Sequence, residues 1–214
     1  MVSMSAVLGI GLVALGLVLT PGPNMIYLVS RSITQGRRAG LISLLGVAAG
    51  FLVYLAAAAA GLATVFVVVP AAYTVLKLAG AAYLLYLAWQ AMRPGGPNAF
   101  VPRELPIDRP RRLFAMGLFT NLLNPKIAIL YISLLPQFIE PSGPPVVLQS
   151  LVLGGTQIVI ALSVNAVIVV FAGSLGQFLS ARPTWMRMQR YLMGGVLAAL
   201  AMKLATDGAR PATT

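Results

Sequence analysis

Lys126 is the residue whose type and setting most demand a chemical explanation. It follows Asn121, Asn124 and Pro125 in a stretch, residues 113–139, where it is the only charged side chain. Embedding a lysine at the centre of a bilayer costs roughly 2.5–3.5 kcal/mol on insertion scales, so something must hold its ammonium. Two kinds of partner suit it: carbonyls freed where Pro125 interrupts a helix, and the negative end of a ligand. A second breaker, Thr20-Pro21-Gly22-Pro23-Asn24, interrupts the charge-free segment 1–30. There two prolines remove two N–H donors around Gly22, and Asn24 is placed to cap a restarted helix whose first N–H groups point at the gap. Asn121 or Asn124 can serve likewise at the second break. Lys77 is a second cation in an apolar stretch; it is shallower and can either line a path or snorkel to the interface.

The elements that must position these groups are membrane helices. Of 214 residues 59% are hydrophobic and 9% charged, against roughly 25% charged in soluble domains. At about 20 apolar residues per crossing, that composition supplies about six spans. Charge-free stretches and the break at Pro70 place them near 4–29, 40–69, 71–92, 113–139, 146–173 and 188–206. Segment 1–30 lacks the positive region of a secretory signal, so the N-terminus is read as a retained first helix. The Lys and Arg residues, 15 against 4 Asp and Glu, collect in alternate loops: Arg31, Arg37 and Arg38; Arg93, Arg103, Arg109, Arg111 and Arg112; Arg182, Arg187 and Arg190. The intervening turns carry none. By the positive-inside rule this sets the basic loops in the cytoplasm and both termini outside. Arginines dispersed over loops in this way do not point to nucleic acid.

The longest hydrophilic linker, 93–112, divides a single transporter domain, 1–214, into halves of about 1–92 and 113–206. Three spans each give the halves opposite orientations, the geometry of an inverted repeat. The expected fold is therefore all-α: six transmembrane helices as two inverted three-helix repeats, with broken helices in spans 1 and 4. Thr20 and Asn24 recur as Thr120 and Asn124 at corresponding places. Loose backbone at membrane depth survives only inside protein or beside a watery cavity, and in secondary transporters it marks the binding site.

Chemistry narrows further by what is missing. There is no Cys and no His, and Glu104, Asp108, Glu140 and Asp207 all lie outside the expected spans. An intramembrane enzyme lacks its nucleophile or acid–base pair, the usual Cys/His metal ligands are gone, and no cofactor is expected. Without a membrane carboxylate a cationic cargo is disfavoured, and a zwitterion or anion facing Lys126 is favoured. Proton coupling then falls to Lys126. Gln157, Ser163 and Asn165, with Tyr83, Tyr86 and Gln90, can line a cavity or bond between helices. Gly46-Val47-Ala48-Ala49-Gly50 reads as a close-packing face. A passive channel or a membrane assembly factor is the alternative, separated from a transporter by saturable, gradient-dependent flux.

Residues 20–50, TPGPNMIYLVSRSITQGRRAGLISLLGVAAG, together with LKLAGAAYLLYLAWQAMR at 76–93 and NLLNPKIAILYISLLPQF at 121–138, resemble the LysE/RhtB family of amino-acid exporters. The resemblance implies a multi-pass exporter in the cytoplasmic membrane driven by the proton motive force. It carries over as transport residues Pro21, Gly22, Pro23 and Asn24, Lys77, and Asn121, Asn124, Pro125 and Lys126. Phe51 stands where many members have a polar or acidic residue, and Ala88 where a Gly is common. The first departure, with the missing carboxylates, favours neutral amino acids of the branched-chain, threonine or homoserine type. A homodimer is compatible with these features.

Overall fold

A computed structural model describes residues 2–68, 70–93, 107–180 and 183–206. Among the described residues every regular element is helical: α1 (Met4–Leu19), α2 (Pro23–Gln35), α3 (Arg37–Val68), α4 (Pro70–Met92), α5 (Pro110–Leu122), α6 (Pro125–Ile129), α7 (Val146–Ser180) and α8 (Pro183–Thr206). After α6 the chain winds through a π-helical turn, Leu130–Leu134, and a 3₁₀ turn, Leu135–Phe138. Pro136 explains the irregularity, since it brings no N–H to the ladder.

Two segments, Arg37–Gly61 and Val146–Ala172, are long and apolar enough to cross a membrane as single helices. Two more qualify as bent pairs: α1 with α2, at 53°, and α5 with the segment Pro125–Phe138, at 49°. The protein is thus embedded in the membrane through several helices. Its lipid-type surface is evident on α1, where Leu8, Leu12, Leu15 and Leu19 face outward while Ile10, Val13 and Leu17 join the core.

Proline sets each break. A residue that precedes proline is driven out of helical geometry, and Thr20 before Pro21 (ψ 124°) and Asn124 before Pro125 (ψ 107°) are both extended. Gly36, the hinge between α2 and α3, has φ +84°, a conformation that favours glycine.

The most extensive interfaces are α3 with α5 and α4 with α8, followed by α3 with α7 and α1 with α7. Small residues make the first possible. A side chain at Gly46 would run into Phe114 O and Leu118 N of α5, and one at Gly117 into Ser43 O of α3. The two backbones touch where the sequence predicts close packing.

Several expectations change here. The first broken segment continues to Gln35 rather than ending near residue 29, so Arg31 lies inside α2 and is buried instead of standing in a basic loop. The hydrophobic pattern ends before the helix does, because α2 is finished by Gly36 and not by the first charge. Likewise α7 runs to Ser180, beyond residue 173. Lys77 falls on α4, but its side chain, like most of the 93–112 linker including Arg103 and Glu104, lies outside the described residues.

Candidate functional site

The two breaks meet. At the end of α1 the carbonyls of Leu17 and Thr20 have lost their helical partners, and the Lys126 ammonium donates to both, at 2.5 and 2.8 Å. Lys126 lies in the first turn of α6, so the cation of the second break closes the first. This is favourable electrostatics, since a helix C-terminus carries partial negative charge. Thr20 turns its own hydroxyl back to Gly16 O at 2.7 Å.

At the second break Asn124 is the N-cap of α6, its Oδ1 accepting from the Lys126 backbone N–H at 3.1 Å. The freed carbonyl of Leu122 accepts from the Tyr54 hydroxyl at 2.7 Å. Tyr54 stacks on Tyr131, centroids 5.5 Å apart, and Tyr131 donates to Gln157 Oε1 at 2.8 Å.

The start of α2 is different. Its N-cap is Gly22, which has no side chain to offer, and Asn24 does not cap it. Pro23 occupies the first helical position, which puts the cap at Gly22, two residues earlier than expected. The first N–H groups of α2 therefore have no partner within the helix and no capping side chain. Gly22 sits directly beneath Lys126, where a Cβ would stand 3.1 Å from Nζ.

Gly22, Asn24, Asn124, Lys126, Gln157 and Asn165 line one cavity, walled on its apolar side by Ala14, Leu17, Val18, Met25, Phe51, Ile127, Leu130 and Ala161. Its open space is about 30 Å³, room for about two waters. Asn24 Oδ1 and Asn124 Nδ2 are buried without a hydrogen-bond partner. Unpaired buried amide atoms cost about 1–3 kcal/mol each, and these two flank the only titratable side chain in the lining.

The expected residues thus divide. Gly22, Asn24, Asn124 and Lys126 converge on the cavity, while Pro21, Pro23 and Pro125 make the breaks that expose its backbone groups. Asn121 does not line it; fully buried on α5, it packs on Gly50, whose added Cβ would lie 2.7 Å from its own. Gln157 and Asn165 reach the cavity, whereas Ser163 and Tyr86 are exposed and Gln90 bonds to Tyr86. Tyr54 and Tyr131 had no signal in the sequence beyond being aromatic.

The LysE type translocator family model matches residues 15–208. A homoserine/homoserine lactone efflux protein of Salmonella typhimurium is 38% identical over 143 residues, 66% of this chain and 68% of its own. The protein of the same description from Salmonella typhi matches to the same extent. The uncharacterized membrane protein YahN of Escherichia coli is 30% identical over 192 residues, covering 88% of this chain and 83% of that one. No solved structure matches. With two proline breaks closed on each other by one lysine and a family match across nearly its whole length, this chain belongs to the LysE type translocators.

Proposed function

We propose that this protein exports small neutral amino acids, homoserine among them, from the cytoplasm in exchange for protons. One observation carries the reading: the Lys126 ammonium, the uncapped start of α2 and the unpaired amides of Asn24 and Asn124 face one small cavity between two broken helices. A zwitterion matches that set. Its carboxylate takes the third Lys126 N–H, the Asn124 amide and the N-terminus of α2; its ammonium takes Asn24 Oδ1. The apolar wall with Phe51 receives a short side chain and offers no carboxylate to a lysine or arginine side chain. The efflux relatives are named for homoserine and its lactone, which share an α-ammonium and an acceptor carbonyl oxygen.

The cavity has room for about two waters, so loading a solute the size of homoserine requires the helices to part. Alternating access by rocking of two inverted halves supplies that motion. The packing supports such halves: α3 of the first lies on the broken segment α5 of the second, α7 of the second lies on α1 and α2 of the first, and α4 pairs with α8. At about 1.5 Å per residue, the 23 residues of α4 and the 24 of α8 suffice for a hydrocarbon core about 30 Å thick, which completes six spans. The basic loops put both termini outside the cytoplasmic membrane. Lys126, the one titratable side chain in the cavity lining, is the proposed site of proton exchange.

The test is release of amino acids from dipeptide-loaded cells and from proteoliposomes. Saturable efflux of neutral amino acids that rises with an imposed proton gradient supports the proposal. Non-saturable flux indifferent to the gradient would make the protein a channel, and efflux confined to lysine or arginine would remove the argument from the missing carboxylates.

A further inference from the structure

Away from the cavity a buried ion pair joins the two halves. Arg31, near the C-terminal end of α2, donates from Nη1 to Asp108 Oδ2, and the two side chains are 8% and 1% exposed. Asp108 stands just before α5. Its backbone N–H donates to Gln35 Oε1 at 2.9 Å, Gln35 Nε2 lies 3.4 Å from its Oδ2, and Arg112 Nη1 is 3.0 Å from its Oδ1. Tyr27 places its ring 5.7 Å from the Arg31 guanidinium and donates its hydroxyl to Leu113 O at 2.8 Å. Arg31, Gln35 and the Tyr27 hydroxyl thus join α2 to the start of α5, while Arg112 steadies Asp108 from within the first turn of α5.

We propose that Arg31 and Asp108 form the latch that closes the arginine-rich end of the cavity and must part for solute to pass by that end. The inference rests on the transport reading above. Helix α2 works as a lever: its first residues, Asn24 and Met25, line the cavity, and its far end carries the latch. Stability alone is a poor reason for the pair. Arg31 Nε is buried without a partner, and a buried pair so incompletely satisfied returns little of its desolvation cost. Ionic groups suit a contact that must open, because water solvates them again once they separate, whereas a parted apolar seal stays exposed. The opposite end is held more lightly, by Ser3 Oγ donating to the half-buried Glu140 at 2.6 Å.

The chain contains no cysteine, so a single reporter has no background. An Ala161→Cys protein places a thiol in the cavity, and a membrane-impermeant maleimide is applied to each face of vesicles, with Arg38→Cys marking the arginine-rich face. Asp108→Asn should speed labelling from that face about 10- to 100-fold, the shift expected from losing a hydrogen bond to a charged group. Arg31→Gln should do the same, the double substitution should add little, and Asp108→Glu should restore slow labelling. Unchanged labelling, or equal acceleration from both faces, would overturn the latch. Saturable efflux with unchanged labelling rejects the latch alone; one-sided labelling in a protein that moves no amino acid rejects the transport reading alone.

Discussion

The two helix breaks have the same cause and opposite closures. Each is made by a proline that forces the residue before it into extended backbone, and the two bends differ by little, 53° against 49°. At the first break the freed carbonyls are taken by an ammonium from the other half of the chain. At the second the freed carbonyl of Leu122 is taken by a phenol from α3, and the restarted helix has its own cap in Asn124. A tyrosine held by stacking and one hydrogen bond keeps its place. An ammonium can exchange a proton, turn to an anion and let go. On the proposed reading the first break is the part that opens, while the second presents Lys126 and Asn124 from a fixed scaffold.

Substitutions can break that comparison, and Lys126→Met should do most. It removes the donor to Leu17 O and Thr20 O and the proposed charge for the solute. A charge-assisted hydrogen bond is worth about 1.5–3 kcal/mol, so homoserine efflux should fall about 10- to 100-fold, with a lower melting temperature in detergent. The lactone offers only a neutral acceptor and so lacks the Coulomb attraction of a carboxylate for the ammonium; its efflux should fall less. Equal losses for both solutes would mean that the lysine only staples the backbone.

Asn124→Ala comes next. It removes the N-cap of α6, worth about 0.5–2 kcal/mol, together with the unpaired Nδ2 in the cavity. Thermal unfolding should report the first loss and a raised half-saturation for efflux the second. Phe51→Asp deletes a buried phenyl, which costs about 3–5 kcal/mol before any charge is buried; the melting temperature should drop, and the remaining efflux should shift toward lysine or arginine in a competition assay. Tyr54→Phe should do least. It deletes one hydroxyl and keeps the stack on Tyr131, so stability should drop by about 1 kcal/mol with efflux nearly unchanged. A large transport defect there would mean that the second break opens as well.

How much was legible along the chain depends on whether a feature is local. Proline, glycine and asparagine at the breaks act on their own neighbours, so the positions of both breaks and the need of Lys126 for carbonyl partners could be read directly. The cap at Asn124 could be read for the same reason, because it precedes a proline at the first helical position. That rule, applied to Pro23, points to Gly22 rather than Asn24. Through-space partners were not legible. Nothing near Lys126 in the chain says that its carbonyls belong to α1, and nothing near Arg31 says that Asp108 lies opposite. Asn121 shares its segment with Asn124, yet one helical turn puts it against Gly50 instead of the cavity. Arg31 looks like a loop residue because charge ordinarily ends a span, and only burial against α5 reveals the pair.

On the proposed transport reading, Lys126 holds the carboxylate of the solute while it closes the first break. Homoserine and its lactone, released from loaded cells expressing the wild-type or the Lys126→Met protein, test it most directly. The account predicts rapid efflux of both from wild-type cells, and in the variant a loss several-fold greater for homoserine than for the lactone. Undiminished homoserine efflux from the Lys126→Met protein would contradict it.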